Sequence, residues 1–272
     1  MKVCTYFPFE PKFTQISRLF PKKNWEDCGK YWLNISVQGS ENWLKERQGQ
    51  IPIEYLSVEC ENRASKNNEQ YINARVTGSN FGAASGWSRF TTPEELAQYI
   101  SGRKKRTFSP ESIENMAHGT KYEPVARTWY ENATGLKVEE VGLAVPKWNF
   151  HLGASVDGVI VGQEGILEIK CPKRMYGPLI EHTYNLGVGW EAPSPYYHEH
   201  IWDSHYAQMQ GGMAILGKKW CDYLVYCTED RRVFRERILF DRSYWEKKLY
   251  PSLQSFLHNH LFPILEETVD SK

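Results

Sequence analysis

The sequence lacks several features that would assign it to a particular class of protein. Its six cysteines, at positions 4, 28, 60, 171, 221 and 227, include no C-x-x-C pair, so neither a structural zinc site nor a four-cysteine iron–sulfur cluster is expected. It has no apolar run of about 18 residues and no signal peptide, so we expect a soluble, intracellular protein with no membrane association. The 33 basic and 33 acidic residues cancel, which excludes a uniformly basic nucleic-acid binder but allows a local basic channel.

The composition is that of an ordinary globular domain. The 272 residues are 41% hydrophobic and 24% charged, which is enough to bury a substantial core. The pattern predicts helices first, then a three-stranded meander, a helix over Ile201–Leu216, two antiparallel strands and a closing helix over residues 242–266. This order indicates an α/β (α+β) domain with a central mixed sheet flanked by helices. We expect residues 1–70 to form an N-terminal extension packed on a core domain of residues 71–272.

Two Ser/Thr-Pro-Glu motifs predict where helices begin. Thr92-Pro93-Glu94 and Ser109-Pro110-Glu111 each combine a capping hydroxyl, a proline suited to the first turn and a favourable acidic residue. Pro124 also suits a first turn, which predicts a separate helix that begins near His118–Thr120 and ends before Gly135. The acidic residue before that proline would lie near the start of this helix.

The chemistry is concentrated in residues 153–172, which predict a β-hairpin. Apolar stretches flank the turn Gly162-Gln163-Glu164-Gly165. A turn centred on its two middle residues would place Lys170 opposite Asp157, with Glu168 one diagonal step away on the same face. Because strand side chains alternate, the apolar residues between them would point into a core.

Two carboxylates and an ammonium at the end of one hairpin indicate a metal site. Burying such groups together is costly unless something compensates their charge. Mg²⁺ prefers one or two carboxylates together with waters and phosphate oxygens. A lysine at such a site can orient a water or stabilise charge on a phosphate. The alternative is an ion-pair cluster on the surface of the hairpin.

Two further stretches have both a structural and a functional interpretation. In residues 75–82 the hydroxyls of Thr77 and Ser79 precede a Gly/Ala run, which could let the backbone approach a phosphate. The same hydroxyls could instead cap a helix that starts near Asn80. The run Arg103-Lys104-Lys105-Arg106 could contact a DNA backbone or form a solvated linker.

Four motifs in this order resemble the phage lambda exonuclease family, the YqaJ-type viral recombinase branch of the PD-(D/E)xK nucleases. They are His118-Gly-x-x-x-Glu123, Gly-Ala-Ser-x-Asp157-Gly, Glu168-Ile-Lys170-Cys-Pro and Ala-Gln208-x-Gln. The resemblance covers roughly residues 75–240, and the proline-aspartate pair of the superfamily is reduced to Val156-Asp157. It implies a restriction-endonuclease-like core around the mixed sheet.

The resemblance assigns roles to residues of the candidate site. It implies a Mg²⁺ site, with Mn²⁺ as a substitute, formed by Asp157, Glu168, Ile169 and Glu123. Lys170 would position the attacking water, and Gln208 would help to orient Lys170 or the phosphate.

The same resemblance places the 5′-phosphate of a DNA end near Arg75, Thr77 and Ser79. The family has W-x-x-x-R a few residues before T-x-S, whereas Trp43-x-x-x-Arg47 here precedes Thr77-Gly-Ser79 by about thirty residues. Either an insertion splits the motif, or Arg75 replaces the usual arginine and the earlier motif is a coincidence. Arg47 and Arg75 are both candidates for the phosphate contact.

The function implied is Mg²⁺-dependent hydrolysis of DNA, 5′→3′ from double-stranded ends, in recombination or end processing. The alternatives are a structure-specific endonuclease of the same superfamily and a DNA-end binding module without turnover. Expected partners are double-stranded DNA ends, a single-strand annealing protein and further copies of the chain in a trimeric ring. A viral origin would place the protein in the cytoplasm or nucleus of the host cell.

Overall fold

The computed structural model describes residue 29 and residues 31–33, 40–52, 71–175, 184–185 and 201–270. Its strands are β1 (Tyr31–Leu33), β2 (Gln50–Pro52), β3 (Tyr71–Asn73), β4 (Val76–Thr77), β5 (Val138–Glu139), β6 (Ala144–Pro146), β7 (Leu152–Gly153), β8 (Gly158–Ile160), β9 (Gly165–Lys170), β10 (Tyr184–Asn185), β11 (Trp220–Cys227) and β12 (Arg232–Leu239). Its helices are α1 (Glu41–Gln48), α2 (Phe81–Ala84), α3 (Pro93–Ile100), α4 (Pro110–Thr134), α5 (Asp203–Leu216), α6 (Arg242–Tyr244), α7 (Tyr250–Phe256) and α8 (Phe262–Asp270). Residues 60–70, whose polar sequence predicts a loop or the end of a helix, lie outside the described residues.

A six-stranded mixed sheet forms the centre, in the order β10-β12-β11-β9-β8-β5. β9 and β11 are parallel and the other neighbours are antiparallel, which confirms the predicted mixed sheet. A parallel pair needs a crossover, and α5 lies in the connection between these two strands. Buried residues of α5 and of the C-terminal helices pack on one face of the sheet, and α4 packs on the other.

The predicted hairpin is present, but its register was wrong by two residues. Gly158 pairs with Leu167, and Val159 pairs with Ile166. The turn closes earlier than expected because Gln163 N donates to Ile160 O at 3.1 Å, with Gly162 at a φ of 72°. A shift of two residues keeps each side chain on its predicted face. The residues that alternate with Glu168 are accordingly buried in the core.

The prediction of a separate helix near residues 118–120 was wrong, because α4 runs unbroken from Pro110 to Thr134. It begins as expected, with Ser109 Oγ accepting from Ser112 N at 3.1 Å, and it ends at Gly135 in the left-handed conformation. Pro124 has no N–H, so the carbonyl of Thr120 loses its helical hydrogen bond. Both residues are exposed, and water can therefore replace the lost donor. Glu123 therefore lies in the middle of a long helix and not near its start.

The strand expected over residues 136–145 is divided into two. β5 pairs with β8 in the main sheet, whereas β6 pairs with β1 and bridges to Ala154. The closing helix is confirmed over 242–266 and continues to Asp270, with π-helical turns over Trp245–Leu249 and Leu257–Leu261. None of the helices in the described part of the chain is long and apolar enough to cross a membrane.

Candidate active site and adjoining pocket

The predicted acidic and basic residues meet at one end of the sheet. Asp157 immediately precedes β8, and Glu168 and Lys170 lie in the last three positions of β9. Lys170 Nζ donates to Glu168 Oε1, and to Gln208 Oε1 of α5 at 3.3 Å. Asp157 Oδ2 accepts from Ile169 N at 2.6 Å. The strands thus fix two carboxylates and one ammonium, and α5 supplies the amide that holds the ammonium.

Burial governs the protonation of these carboxyls. Glu168 is only 1% exposed, and burial raises its pKa to about 8 despite the opposing effect of Lys170. Burial also raises the pKa of Asp157, with Lys170 again opposing the shift. The two carboxyls therefore sit in a low-dielectric environment in which one ammonium does not balance two negative charges.

Glu123 of α4 lies beside the same carboxylates, because Arg127 links α4 to the segment that carries Asp157. Arg127 Nη2 donates to Glu123 Oε1 at 2.8 Å, and its Nε donates to the main-chain oxygen of Asp157 at 3.2 Å. The same guanidinium also contacts Glu140. Burial, with Asp157 as the second cause, raises the pKa of Glu123 to about 7. The i,i+4 spacing of Glu123 and Arg127 is visible in the sequence, but the contacts of Arg127 with Glu140 and Asp157 are not, since these residues lie 13 and 30 positions away.

The donor set fits a magnesium ion that shares its ligands with water and substrate. Among the described residues, no three His, Cys, Asp or Glu side chains are arranged to hold a metal ion by themselves. Asp157 and Glu168 nevertheless provide two carboxylates, with Ile169 beside them in β9, and Mg²⁺ commonly takes one or two carboxylates and leaves the remaining positions to waters and phosphates. A divalent cation would also compensate the negative charge that these carboxylates carry when ionised.

A basic pocket of about 230 Å³ lies close to this cluster. Residues of five elements or loops line it, including Arg47, Arg75, Thr77, Asn80 and Tyr99. Arg47 Nη2 donates to Ser79 Oγ at 2.5 Å, and its guanidinium lies 5.0 Å from the centre of the Trp43 ring. The two halves of the separated motif therefore meet in space, which favours the interpretation that residues 48–74 are an insertion.

Arg75 and Thr77 form the buried wall of the pocket. Arg75 is 3% exposed; its Nε donates to Phe150 O at 2.9 Å, and its guanidinium stacks 4.2 Å from the centre of that ring. Thr77 is 2% exposed, and its hydroxyl has no hydrogen-bond partner among the described residues. The hydroxyl does not cap the following turn, so the helix-cap interpretation is wrong for Thr77. A buried hydroxyl at the wall of a cationic pocket is suited to an anionic ligand.

The first two cations of the basic run form ion pairs within the protein. Arg103 donates to Glu267 Oε2 at 2.8 Å and to Ile264 O at 3.0 Å, which ties the loop after α3 to α8. Lys104 pairs with Glu95 of α3 at 3.2 Å. Both side chains remain exposed, as expected for a solvated loop, and their contact with a DNA backbone stays a prediction.

Arg106, the last cation of that run, turns towards the pocket. Its Nη2 donates to Asn80 Oδ1 at 3.4 Å, and its guanidinium lies 5.0 Å from the centre of the Tyr99 ring. Burial, together with the nearby charge of Arg106, lowers the pKa of Arg47, so the two guanidiniums are close enough to repel each other. The sequence shows the run of four cations, but it does not show which of them faces the pocket.

The pocket and the carboxylate cluster share the turn of residues 77–79. A Cβ atom on Gly78 would lie 3.6 Å from Cγ of Gln208, so the turn packs directly on the side chain that holds Lys170. The phosphate-sized pocket and the candidate catalytic groups are therefore neighbours on one continuous surface.

Comparison with known families agrees with this arrangement. The model of the YqaJ-like viral recombinase domain matches residues 42–219. The chain belongs to this family. The YqaJ-like match begins just before Trp43 and includes the segment 48–74, the pocket and the carboxylate cluster. It confirms the resemblance inferred from the four motifs.

Two solved structures share the fold. The alkaline exonuclease LHK-Exo from Laribacter hongkongensis is 24% identical, with a TM-score of 0.53 over 85% of this chain and 95% of that chain. Its complex with dAMP gives a TM-score of 0.52 with the same identity and coverage. A phage-related exonuclease from Haemophilus somnus 129PT is 13% identical over 72% of this chain and 96% of that chain, with a TM-score of 0.47. Comparison with curated proteins finds no match.

Proposed function

We propose that this YqaJ-like chain is a Mg²⁺-dependent deoxyribonuclease that digests double-stranded DNA 5′→3′ from its ends, in recombination or end processing. Membership of the YqaJ-like family and the fold shared with proteins described as exonucleases support a nuclease. The observation that best supports exonuclease activity is the position of the turn of residues 77–79. This turn lies between the cationic pocket and the carboxylate cluster. A terminal phosphate held in the pocket would bring the adjoining phosphodiester towards Lys170.

The side chains of the cluster can perform the hydrolysis in the following way. Lys170, held by Glu168 and Gln208, presents an ammonium that can orient the attacking water and stabilise the charge that develops on the phosphate. Asp157 and Glu168 offer carboxylate oxygens in a buried site, where electrostatic interactions are stronger than in water. Bound Mg²⁺ would supply Lewis acidity and lower the pKa of a coordinated water.

The pocket can recognise the end of a DNA strand. A terminal phosphate carries more negative charge than an internal one, and charge-assisted hydrogen bonds from arginine suit it. Arg47, Arg75 and Arg106 contribute positive charge, while Ser79 and Thr77 contribute hydroxyls. An endonuclease would have no need of a pocket that closes around a strand end, so this geometry favours the exonuclease.

Substitutions in the cluster test the chemistry. Asp157→Ala, Glu168→Ala and Lys170→Ala should each abolish cleavage of a linear duplex in Mg²⁺ while largely preserving DNA binding and the far-ultraviolet spectrum. The reason is that these groups act on charge that develops in the transition state. Ca²⁺ should support binding without turnover, because its looser shell misplaces the water. Cleavage that persists in EDTA would exclude metal dependence, and a wild-type rate in Lys170→Ala would exclude its role.

Substitutions in the pocket test polarity and end recognition. Wild-type protein should digest duplex with 5′-phosphate roughly ten- to hundredfold faster than duplex with 5′-hydroxyl, as expected for one or two charge-assisted contacts. Arg47→Ala should remove this preference. Arg75→Ala should reduce it less, because Arg75 Nε is already used by Phe150 O. If neither substitution changes the preference, the assignment of the pocket to the 5′-phosphate is wrong. If circular DNA is cut as fast as linear DNA, the endonuclease alternative is correct.

The proposal includes assembly as a trimeric ring and cooperation with a single-strand annealing protein, both by family resemblance. Sedimentation equilibrium of the full chain tests the first, and co-purification with a candidate annealing protein tests the second.

A further inference from the structure

Phe90 is an exposed aromatic residue in a fixed loop. Its side chain is 80% exposed, in the connection between α2 and α3. Trp87 anchors one side of this loop by donating from N to Gly82 O at 2.8 Å and by packing its ring 5.8 Å from that of Tyr244. On the other side Thr92 caps α3. These contacts fix both ends of the loop, and the ring of Phe90 is presented to solvent.

Phe90 begins a row of aromatic rings, which we call the aromatic ledge and define as Phe90, Trp202 and His205. The ring centres of Phe90 and Trp202 are 6.5 Å apart, and those of Trp202 and His205 are 5.2 Å apart. The guanidinium of Arg89 lies 5.9 Å from the centre of the Trp202 ring. The ledge therefore combines aromatic faces with a cation at its middle ring.

The inner end of the aromatic ledge reaches the carboxylate cluster. His205 lies one helical turn before Gln208 on α5, and its Nδ1 is 2.8 Å from the hydroxyl oxygen of Tyr223. Tyr223 pairs with Glu168 where β11 runs beside β9. Burial, with the charge of Lys170 as a second cause, lowers the pKa of His205 to about 3, so the ring at this end is neutral and suited to stacking. The row leads from open solvent to the groups proposed to cut DNA.

We propose that the aromatic ledge binds nucleobases that have left the DNA stack next to the phosphodiester being cut, with Phe90 and Trp202 as the stacking surfaces. This proposal rests on the nuclease function proposed above. Aromatic side chains stack on any base and are therefore independent of sequence, as a digesting enzyme requires. The flanking cations Arg89 and Lys170 would attract the phosphates on either side of a stacked base. If the aromatic ledge bound a protein partner, its continuation to Lys170 would have no explanation.

The variants for a test are Phe90→Ala, Phe90→Tyr and Leu239→Ala. Tyrosine keeps the stacking face, so Phe90→Tyr should behave as wild type. Leu239 is a matched control, because it is 68% exposed and ends β12 beside Trp220. Trp220 pairs with Gly165, the first residue of β9, whereas Lys170 is the last. Leu239 therefore lies at the opposite end of the sheet from the proposed site.

Binding is measured in Ca²⁺ with duplexes that carry a fluorescent adenine analogue at the 5′ end, either paired or in a mismatch. Phe90→Ala should weaken binding of the mismatched end by roughly tenfold and the paired end much less, and it should change the fluorescence of the bound analogue. Phe90→Tyr and Leu239→Ala should match wild type in both. Equal losses in Phe90→Ala and Leu239→Ala, or no loss in Phe90→Ala, would overturn the proposal.

The two proposals fail in different ways. If the wild-type chain neither binds nor cuts DNA, both are wrong. If it cuts DNA and Phe90→Ala binds mismatched ends as well as wild type does, only the aromatic ledge is wrong. If Phe90→Ala changes the sedimentation of the protein and leaves DNA binding intact, the surface contacts protein and not bases.

Discussion

Two arginines of one basic run have opposite environments, and they form a matched pair for testing the pocket. Arg103 is bonded to Glu267 of α8, whereas Arg106 faces the pocket beside Arg47. Arg106→Ala should reduce the preference for 5′-phosphorylated duplex by roughly threefold to tenfold, since one exposed cation near a phosphate contributes about 1 kcal/mol. Rates of digestion of phosphorylated and hydroxyl ends provide the measurement.

Arg103→Ala is the control for that substitution. It removes the same charge but should leave the end preference unchanged and lower the thermal midpoint slightly. A loss of preference in both variants would mean that the pocket responds to the general charge of the loop and not to Arg106.

A buried histidine should make the stability of the protein sensitive to acid. His151 is 5% exposed, with its Nδ1 2.8 Å from Ala74 O, and burial lowers its pKa to about 4 from an ordinary value of 6.5. The unfolded chain therefore binds this proton at a higher pH than the folded chain. The contribution of neutral His151 is complete above pH 6.5 and is lost as the pH falls towards 4, by about 3 kcal/mol in total.

Urea unfolding of wild type and His151→Gln between pH 7 and pH 4 checks this expectation. The variant should lose less free energy of unfolding over this range than wild type does. Parallel pH profiles would show that His151 is not the group responsible.

For single residues, the sequence predicted those contacts whose partners lie close together along the same strand. Glu168 and Lys170 share a face because strand side chains alternate, and that rule needs no knowledge of the rest of the fold. Arg106 and Arg127 act through partners on other elements, and no local pattern specifies such contacts. The Arg47–Ser79 contact shows the same limit, since 32 positions separate its partners.

At the scale of elements, two helical glycines differ in what surrounds them. A Cβ on Gly211 of α5 would lie 2.3 Å from two ring carbons of the buried Phe81, whereas a Cβ on Gly119 of α4 would meet nothing within 4 Å. Gly211→Ala should therefore separate α2 from α5 and destabilise the protein by about 1–3 kcal/mol. Gly119→Ala should stabilise it by about 0.5–1 kcal/mol through helix propensity.

Thermal or urea unfolding of the two variants measures these effects. If Gly211→Ala is as stable as wild type, the contact between α2 and α5 is looser than the structure indicates. The Gly119 variant shows, in the same experiment, what alanine does when packing is not altered.

Element types followed from the sequence more reliably than their boundaries. Capping residues at Ser109 and Thr92 marked two true helix starts because their bonds are local. Pro124 suggested a third start, but tertiary packing of α4 on the sheet outweighs one missing hydrogen bond on an exposed face. The hairpin register was missed because the turn closes with Gln163 N donating to Ile160 O at 3.1 Å, and registers that differ by two residues give the same alternation of side chains.

At the scale of the whole molecule, a net charge of zero conceals an uneven distribution of charge. Positive side chains gather at the pocket, so DNA binding should weaken steeply with salt even though the chain is neutral overall. The slope of log affinity against log salt concentration should become shallower by about 0.9 for each lost phosphate contact, as in Arg47→Ala. Fluorescence anisotropy in Ca²⁺ over a range of salt concentrations gives this slope, and an unchanged slope would mean that Arg47 does not contact phosphate.

The contact between Gly78 and Gln208 also fixes the spacing between the pocket and the carboxylate cluster. The pocket that would seat a strand end and the lysine that would act on the backbone are joined by one packed turn, so the distance between them cannot vary from one cut to the next. A rigid spacing makes every released fragment the same length, whatever the sequence of the DNA. Mass spectrometry of early products should therefore find a single product size. Gln208→Ala, which would remove the side chain that the turn packs on, should broaden that distribution.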